Sequence, residues 1–265
     1  MIDTHCHLTD PRLAEQLDEV LSRAAAAGVS RLITIGTDIE DDLKAIELCR
    51  AVPNVRCAVG IHPNYCGHAR EDDLPQLRTL QPDPTVLALG EMGLDYHHQF
   101  SPRDRQRHFF QYQLELASEL NRPVVIHCRE ATDDCLAIMQ SFPNIRAVFH
   151  CFTGTTQEAR KILDAGYLLG FTGAVTFKKS DEIRAAAQLA PLDRILVETD
   201  APYLSPEPVR KQKTNEPAFV MHVAAVVAQV RGVPIEELDR ATTQNATKFF
   251  GWGRLADNVA RATSP

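Results

Sequence analysis

The sequence predicts a single (β/α)8 barrel, on three observations. Eight short apolar, β-branched runs alternate with longer segments of helical period, the rhythm of βαβ units around a parallel sheet. The chain has 265 residues, and such barrels take about 250 residues as one unit. No composition break, low-complexity tract or long linker divides it. Residues 1–252 therefore read as one domain and residues 253–265 as a loosely tied C-terminal tail.

The eight runs are Met1–His5, Arg31–Gly36, Val55–Gly60, Val86–Gly90, Val124–His127, Ala147–His150, Tyr167–Phe171 and Ile195–Thr199. The segments between them carry helix-end signals. Asp10-Pro11 supplies an N-cap and a first-turn proline, Leu13, Leu17, Leu21 and Ala24 mark one apolar face, and Gly28 stops that helix. Ser101-Pro102 opens another, with Phe110, Leu114 and Ala117 inward. Thr155 and Glu158 have the spacing of a capping box.

Bulk properties exclude several classes. With 44% hydrophobic and 24% charged residues, the chain has the composition of an ordinary globular protein. The best apolar stretch, Val223 to Val230, is far shorter than the roughly 20 residues of a membrane span. The N-terminus has no basic segment followed by an apolar one, so no export signal is expected. The seven cysteines form no C-x-x-C pair, which argues for reduced thiols and a cytoplasmic protein. A net charge of −7 leaves no uniformly basic surface for duplex nucleic acid. No Walker loop or G-x-G-x-x-G follows the first strand, so no nucleotide cofactor is expected. There is no G-x-S-x-G elbow and no run of aromatics interleaved with basic residues. A monomer is expected.

The chemistry lies where the strands stop, because loops at the C-terminal ends of barrel strands build the active site. Strand one ends in His5-Cys6-His7. Side chains alternate along a strand, so the two imidazoles share a face on which they can chelate one ion. Strand four ends at Glu91, five at His127, six at His150 and eight at Asp200. A lone histidine at a strand end is more often structural. Six ligand-type side chains on five strand ends are harder to explain that way, since clustering them without a cation costs several kcal/mol of desolvation. A doubly wound open sheet shares the βα rhythm but is not expected to place ligands on so many strand ends.

The blocks Thr4-His5-Cys6-His7, Gly60-Ile61-His62-Pro63, Gly90-Glu91-Met92-Gly93-Leu94-Asp95-Tyr96, Val125-Ile126-His127-Cys128-Arg129, His150-Cys151-Phe152-Thr153-Gly154 and Val197-Glu198-Thr199-Asp200-Ala201-Pro202-Tyr203-Leu204 resemble the signatures of the TatD family. This is the TatD-like deoxyribonuclease branch of the amidohydrolase superfamily. The resemblance runs in order from residue 4 to about residue 217. It implies a divalent-metal-dependent hydrolase of phosphodiesters, with DNA as the usual substrate, often degraded from a 3′ end. It maps His5, His7, Glu91, His127, His150 and Asp200 onto a two-metal site. Glu91 would bridge the ions where many amidohydrolases use a carbamylated lysine, which this chain lacks. One block departs from the pattern. Where the family tends to read Arg-Gly-Lys-x-Asn-x-Pro, this chain has Arg210-Lys211-Gln212-Lys213-Thr214-Asn215-Glu216-Pro217, which leaves the conformation of that loop open.

The implied chemistry is a pair of ions that clamps the attacking and leaving oxygens of a phosphodiester and acidifies water, with Asp200 accepting the proton. Magnesium, manganese or zinc suit such a donor set and reaction. Among the neighbours, His62 is placed to hydrogen-bond a phosphate or to cap its loop. Asp95 and Tyr96 would orient a ligand or the substrate. Arg129, Arg210 and Lys211, with Lys213, would give a local cationic rim, or be merely solvated. Asp3 would fix the His5 tautomer. Glu198 would act in catalysis or form a buried pair with Arg129. Cys6, Cys128 and Cys151 would pack behind the barrel wall. With few aromatics, DNA would be held by metals and rim, which favours ends or single strands. Two other readings stay open: a deacylase or other amide or ester hydrolase of the same architecture, and a non-catalytic metal-binding protein.

Overall fold

The computed structural model describes residues 1–253; the remainder of the expected tail lies outside them. Eight parallel strands follow one another around a nearly closed barrel: β1 (Ile2–Cys6), β2 (Arg31–Ile35), β3 (Val55–Val59), β4 (Val86–Asp95), β5 (Val124–Arg129), β6 (Ala147–Phe149), β7 (Leu168–Phe171) and β8 (Ile195–Val197). The first and last strands meet through a parallel bridge between Cys6 and Ala201. There the His7 N–H donates to Ala201 O at 2.7 Å and the Asp200 N–H to His5 O at 2.9 Å. The wall is thus sewn shut beside the expected ligands. Most strand ends differ from expectation by one or two residues, but β4 runs five residues further, to Asp95. Glu91 therefore sits inside a strand whose register slips between Leu89 and Met92.

The helices are α1 (Pro11–Ala14), α2 (Leu17–Ala26), α3 (Ile39–Ala51), α4 (Asp73–Leu80), α5 (Arg103–Leu120), α6 (Thr132–Met139), α7 (Thr156–Asp164), α8 (Asp181–Leu189), α9 (Val220–Arg231) and α10 (Ile235–Phe250). The first expected helix is in fact two. Asp10 caps α1 by accepting the Arg12 N–H, but the chain leaves helical geometry at Gln16. Leu13, Val20 and Ala24 then face the core, with Leu17 and Leu21 only half-buried beside them. Ser101 does not cap α5. Its hydroxyl instead ties two loops, accepting the Gly67 N–H at 2.8 Å and donating to Asn64 O at 2.9 Å. Phe110, Leu114 and Ala117 of α5 are buried as the periodicity requires. The Thr155–Glu158 capping box at α7 is formed in both directions.

Two apolar layers result. The outer one lies between strands and helices. The inner one gathers Ile33, Ala58, Val125 and Leu196 against Phe249, Phe250 and Trp252 at the end of α10. Arg31 fastens this plug, donating to Trp252 O at 3.0 Å and Gly253 O at 3.1 Å. The plug fills the end of the barrel where strands begin and leaves the opposite end for side chains with chemistry. Among the described residues no single helix is long and apolar enough to cross a membrane.

Among the described residues one buried carboxyl group lies outside the site. Asp42 of α3 is fully buried, its Oδ1 accepting the Gly60 N–H at 3.1 Å while Oδ2 has no partner. Burial, with Gly60 opposing and other acidic groups adding, pushes its carboxyl well above the usual range. The folded state therefore keeps a proton that the unfolded state releases. Stability from this group falls as pH rises above the unfolded pKa. Asp42→Asn keeps the acceptor and removes the titration. It is expected to stabilise the fold near pH 7 by about 1 kcal/mol, or roughly 2–4 °C in Tm, and to change little near pH 4. Thermal unfolding of both proteins across that range checks the sign; a constant offset would refute it.

Candidate metal centre

The six expected ligands converge at the open end. His5 lies near the end of the fully buried β1, and His7 just past it. Glu91 rises from β4 and His127 from β5, while His150 and Asp200 stand just past β6 and β8. Two glycines let β4 and β5 approach closely enough. Gly90 and Gly93 have φ of +132° and +140°, and a Cβ at Gly93 would fall 2.0 Å from His127 O. Asp200 itself takes a left-handed φ of +56°, a conformation that Asp and Asn tolerate better than most residues.

Glu91 is the hub. Its Oε1 lies 2.6 Å from His150 Nε2, 2.7 Å from His127 Nδ1 and 3.3 Å from His62 Nε2. Its Oε2 lies 3.3 Å from His5 Nε2. Asp200 Oδ1 forms a second focus, 3.4 Å from His7 Nε2 and 3.7 Å from His5 Nε2. Three groups of potential ligands follow: His5–His7–Asp200, His5–Glu91–His150 and His62–Glu91–His127. His5 belongs to the first two and Glu91 to the last two, so the groups are fused. They lie at the bottom of a basin of about 950 Å³.

His62, read from sequence as a phosphate or capping residue, stands among the ligands. Its Nδ1 accepts the Asn64 backbone N–H at 3.0 Å. A neutral ring held that way carries its proton on Nε2, which then donates towards Glu91 and cannot ligate an ion. Burial lowers the His62 pKa, which keeps the ring neutral. The hydrogen bond thus separates His62 from the other imidazoles.

A second layer orients the first. Asp95 Oδ2 lies 3.0 Å from His127 Nε2 and 2.9 Å from His98 Nδ1, fixing which nitrogen of His127 faces Glu91. The one sign of His98 in the sequence is its spacing of three from Asp95. Asp3 does not reach the His5 ring. Its carboxylate accepts the Thr199 N–H at 2.9 Å and the Thr199 hydroxyl at 2.6 Å, because the β1 register slips between Asp3 and Cys6. Burial lifts it to about 8. Glu198 is not paired with Arg129. It accepts from Cys151 N–H at 2.6 Å and from the Thr4 hydroxyl at 3.1 Å, and burial raises it to about 7.

The cationic rim is smaller than expected. Arg129 lines the basin, donating to the Thr153 hydroxyl at 2.8 Å. Arg210 and Lys211 do not line it. The Arg210 guanidinium stacks 3.5 Å above the Phe177 ring, and Lys211 is exposed elsewhere on that loop. Tyr96 also turns away, its hydroxyl donating to Asp134 at 2.7 Å and its ring covered by Arg103. The loop that departs from the family pattern is pinned by buried Asn215, whose amide donates to Thr199 O at 2.9 Å and Tyr203 O at 2.5 Å. Cys6 is buried behind the wall as expected, but Cys128 and Cys151 line the basin and are only half-buried. Both are adjacent to a ligand at a strand end, where the wall gives way to the mouth.

This constellation on a barrel agrees with what comparison with known proteins finds. The family described as TatD related DNase matches residues 2–251. The chain belongs to the TatD family. A metal-dependent hydrolase of Bacillus subtilis, YabD, is 37% identical over 94% of this chain and 98% of its own length. The 3′-5′ ssDNA/RNA exonuclease TatD of Cronobacter sakazakii is 39% identical over 94% and 97% of the two chains. The crystal structure of YJJV, a TatD homolog of Escherichia coli, superposes with a TM-score of 0.91 at 29% identity, covering 96% and 98%. YabD is a metal-dependent hydrolase by name, and a cation is the group against which the donor set of this chain is judged.

The residues fit one. His5 Nδ1 and Nε2 and His150 Nδ1 are buried without a hydrogen-bond partner, a costly state that coordination relieves. Burial lowers His5 to about 4, which leaves one ring nitrogen unprotonated and able to ligate. Burial likewise opposes charge on His7 and His127, but Asp200 lifts the first to about 9, and Asp95 with Glu91 lifts the second to about 10. Against its burial, His150, His62 and His127 in turn hold Glu91 well below the usual carboxylate range. Protons here do the neutralising that a divalent cation would do.

Proposed function

We propose that this protein is a divalent-metal-dependent exonuclease that removes nucleotides from 3′ ends of single-stranded nucleic acid, DNA foremost. The observation that carries this reading is that His5 and Glu91 are each shared between neighbouring sets of potential ligands under an open basin. Ligands shared between groups suit two adjacent cations, the arrangement used on phosphodiesters. His5, His7, Glu91, His127, His150 and Asp200 would hold them. Bound there, the cations would offset phosphate charge and acidify water.

The chain's own groups do the rest. Asp200 Oδ1, at the basin floor, accepts the proton of the attacking water. His62 turns its Nε2–H from Glu91 to a non-bridging phosphate oxygen when substrate enters, and Arg129 contributes charge from the rim. Water attacks phosphorus, the bond to the 3′ oxygen breaks, and that oxygen takes up the proton from Asp200, so that a 5′-mononucleotide and a strand shortened to a new 3′-hydroxyl result. Asp95 positions His127 throughout.

One observation favours a different substrate. Asp10, Asp38, Glu40 and Asp41 line one flank of the basin, and carboxylates there repel a polyanion. A neutral ester or amide would avoid that cost. The deciding experiment measures release from single-stranded DNA, linear duplex and closed circular duplex with magnesium, manganese or zinc, beside an ester and amide panel, with His127→Ala as control. Single strands are expected to be cleaved at least about 10-fold faster than closed circles, which offer no end. Equal rates on both would refute the end-directed reading. Turnover confined to the ester or amide panel would replace it.

A further inference from the structure

The proposed substrate raises a question of grip. Among residues lining the basin, Lys44 is engaged by Glu40 at 2.7 Å and Arg129 by Thr153, while four carboxylates line one flank. Phosphate charge therefore has few partners, and nucleic-acid affinity usually depends on such partners.

Another feature fills the gap. Five large hydrophobic side chains stand exposed among the described residues, and three of them, Tyr65 (47% exposed), Phe100 (64%) and Tyr203 (47%), line this one basin. They come from loops after β3, β4 and β8, so no sequence run announces them. Each is also tied inward to the metal centre. The Tyr65 ring lies 5.9 Å from His62, and Tyr203 lies 6.0 Å from His7. Phe100 stacks on His98 at 5.4 Å and 5°, and His98 holds Asp95, which holds His127. Arg12 covers one face of Tyr203 at 4.6 Å and steadies it. Exposing three aromatic rings costs hydrophobic free energy that a monomer avoids unless the surface is used.

We propose that Tyr65, Phe100 and Tyr203 form an aromatic rim that stacks unpaired nucleobases on either side of the scissile phosphate. The inference rests on the nuclease reading and names what selects single strands. Bases in a duplex are already stacked and present no free face, whereas every unpaired base has one. The rim is sequence-tolerant for the same reason, and salt weakens it little.

The test compares two single strands of equal length, one ordinary and one whose 3′-terminal nucleotides carry a stable abasic sugar. For the wild-type enzyme loaded with manganese, kcat/KM is expected to be higher on the ordinary strand by roughly 5- to 100-fold per stacked base. Phe100→Leu and Tyr65→Leu keep apolar bulk but remove the ring; both are expected to bring the ratio of the two substrates towards unity, mainly through KM. Phe100→Trp is expected to restore it. Equal wild-type rates on the two strands would overturn the rim while leaving the nuclease reading intact. Equal losses on both strands in the leucine variants would assign these rings a structural role and also overturn it. Hydrolysis of neither strand would remove the nuclease reading and the rim together.

Discussion

Glu91→Gln is expected to lower hydrolysis by at least about 1,000-fold, equivalent to about 4 kcal/mol of transition-state stabilisation, and to lower bound metal in parallel. Glutamine matches the shape of glutamate, so loss of volume is not at issue. What changes is charge at the one side chain shared by His5, His62, His127 and His150. A neutral amide neither bridges two cations nor offsets surrounding imidazolium groups, and its NH2 group must face nitrogen donors. Elemental analysis of protein purified without added metal, alongside turnover, checks this. Normal metal content with normal rate would remove Glu91 from the centre of the scheme. The imidazoles that hold Glu91 anionic lose their counter-charge too, so a lower Tm is expected.

Asp200→Asn is expected to separate binding from turnover. Its rate should fall about 100- to 10,000-fold, the range in which a positioned general base contributes, while Tm and most of the metal are retained. The reasons are local. Asparagine adopts the left-handed φ of +56° as readily as aspartate does. The Asp200 backbone N–H that donates to His5 O at 2.9 Å is unchanged. The carbonyl of asparagine still faces His7 and His5, but it accepts no proton from water. Circular dichroism, metal content and single-turnover rates together decide. Near-normal turnover would show that another group takes the proton; joint loss of metal and fold would show that Asp200 is chiefly structural.

These expectations draw on residues that differ in how visible they were. The donors at strand ends were legible because a parallel strand has a fixed direction and a period of two. Once the apolar runs of β1, β4, β5, β6 and β8 were identified, His5, His7, Glu91, His127, His150 and Asp200 fell at or just past the mouth. Apolar runs do not mark where a strand stops when its end is polar. That is why β4 was read five residues short of Asp95 and why Glu91 lies within it.

Side-chain partners across the barrel were not legible. Asp3 was expected on the His5 ring and instead holds Thr199, 196 residues away, because a register slip in β1 moves it out of phase. Glu198 is suited by charge to Arg129 but takes the Cys151 and Thr4 donors. Arg210 is suited by charge to a phosphate but lies on Phe177. In each case several long-range partners were chemically acceptable, and only chain geometry chose among them.

By itself the amino-acid order determined the alternation of strand and helix, the end of the barrel where polar side chains gather and the six candidate donor side chains. Those depend on periodicity and direction, which are local properties of a chain. The folded structure alone decided that Glu91 stands at the hub between His5, His62, His127 and His150, that a backbone N–H sets the His62 proton, and that Tyr65, Phe100 and Tyr203 meet around one basin. Those depend on contacts between distant segments, where packing and hydrogen-bond geometry select one partner from many.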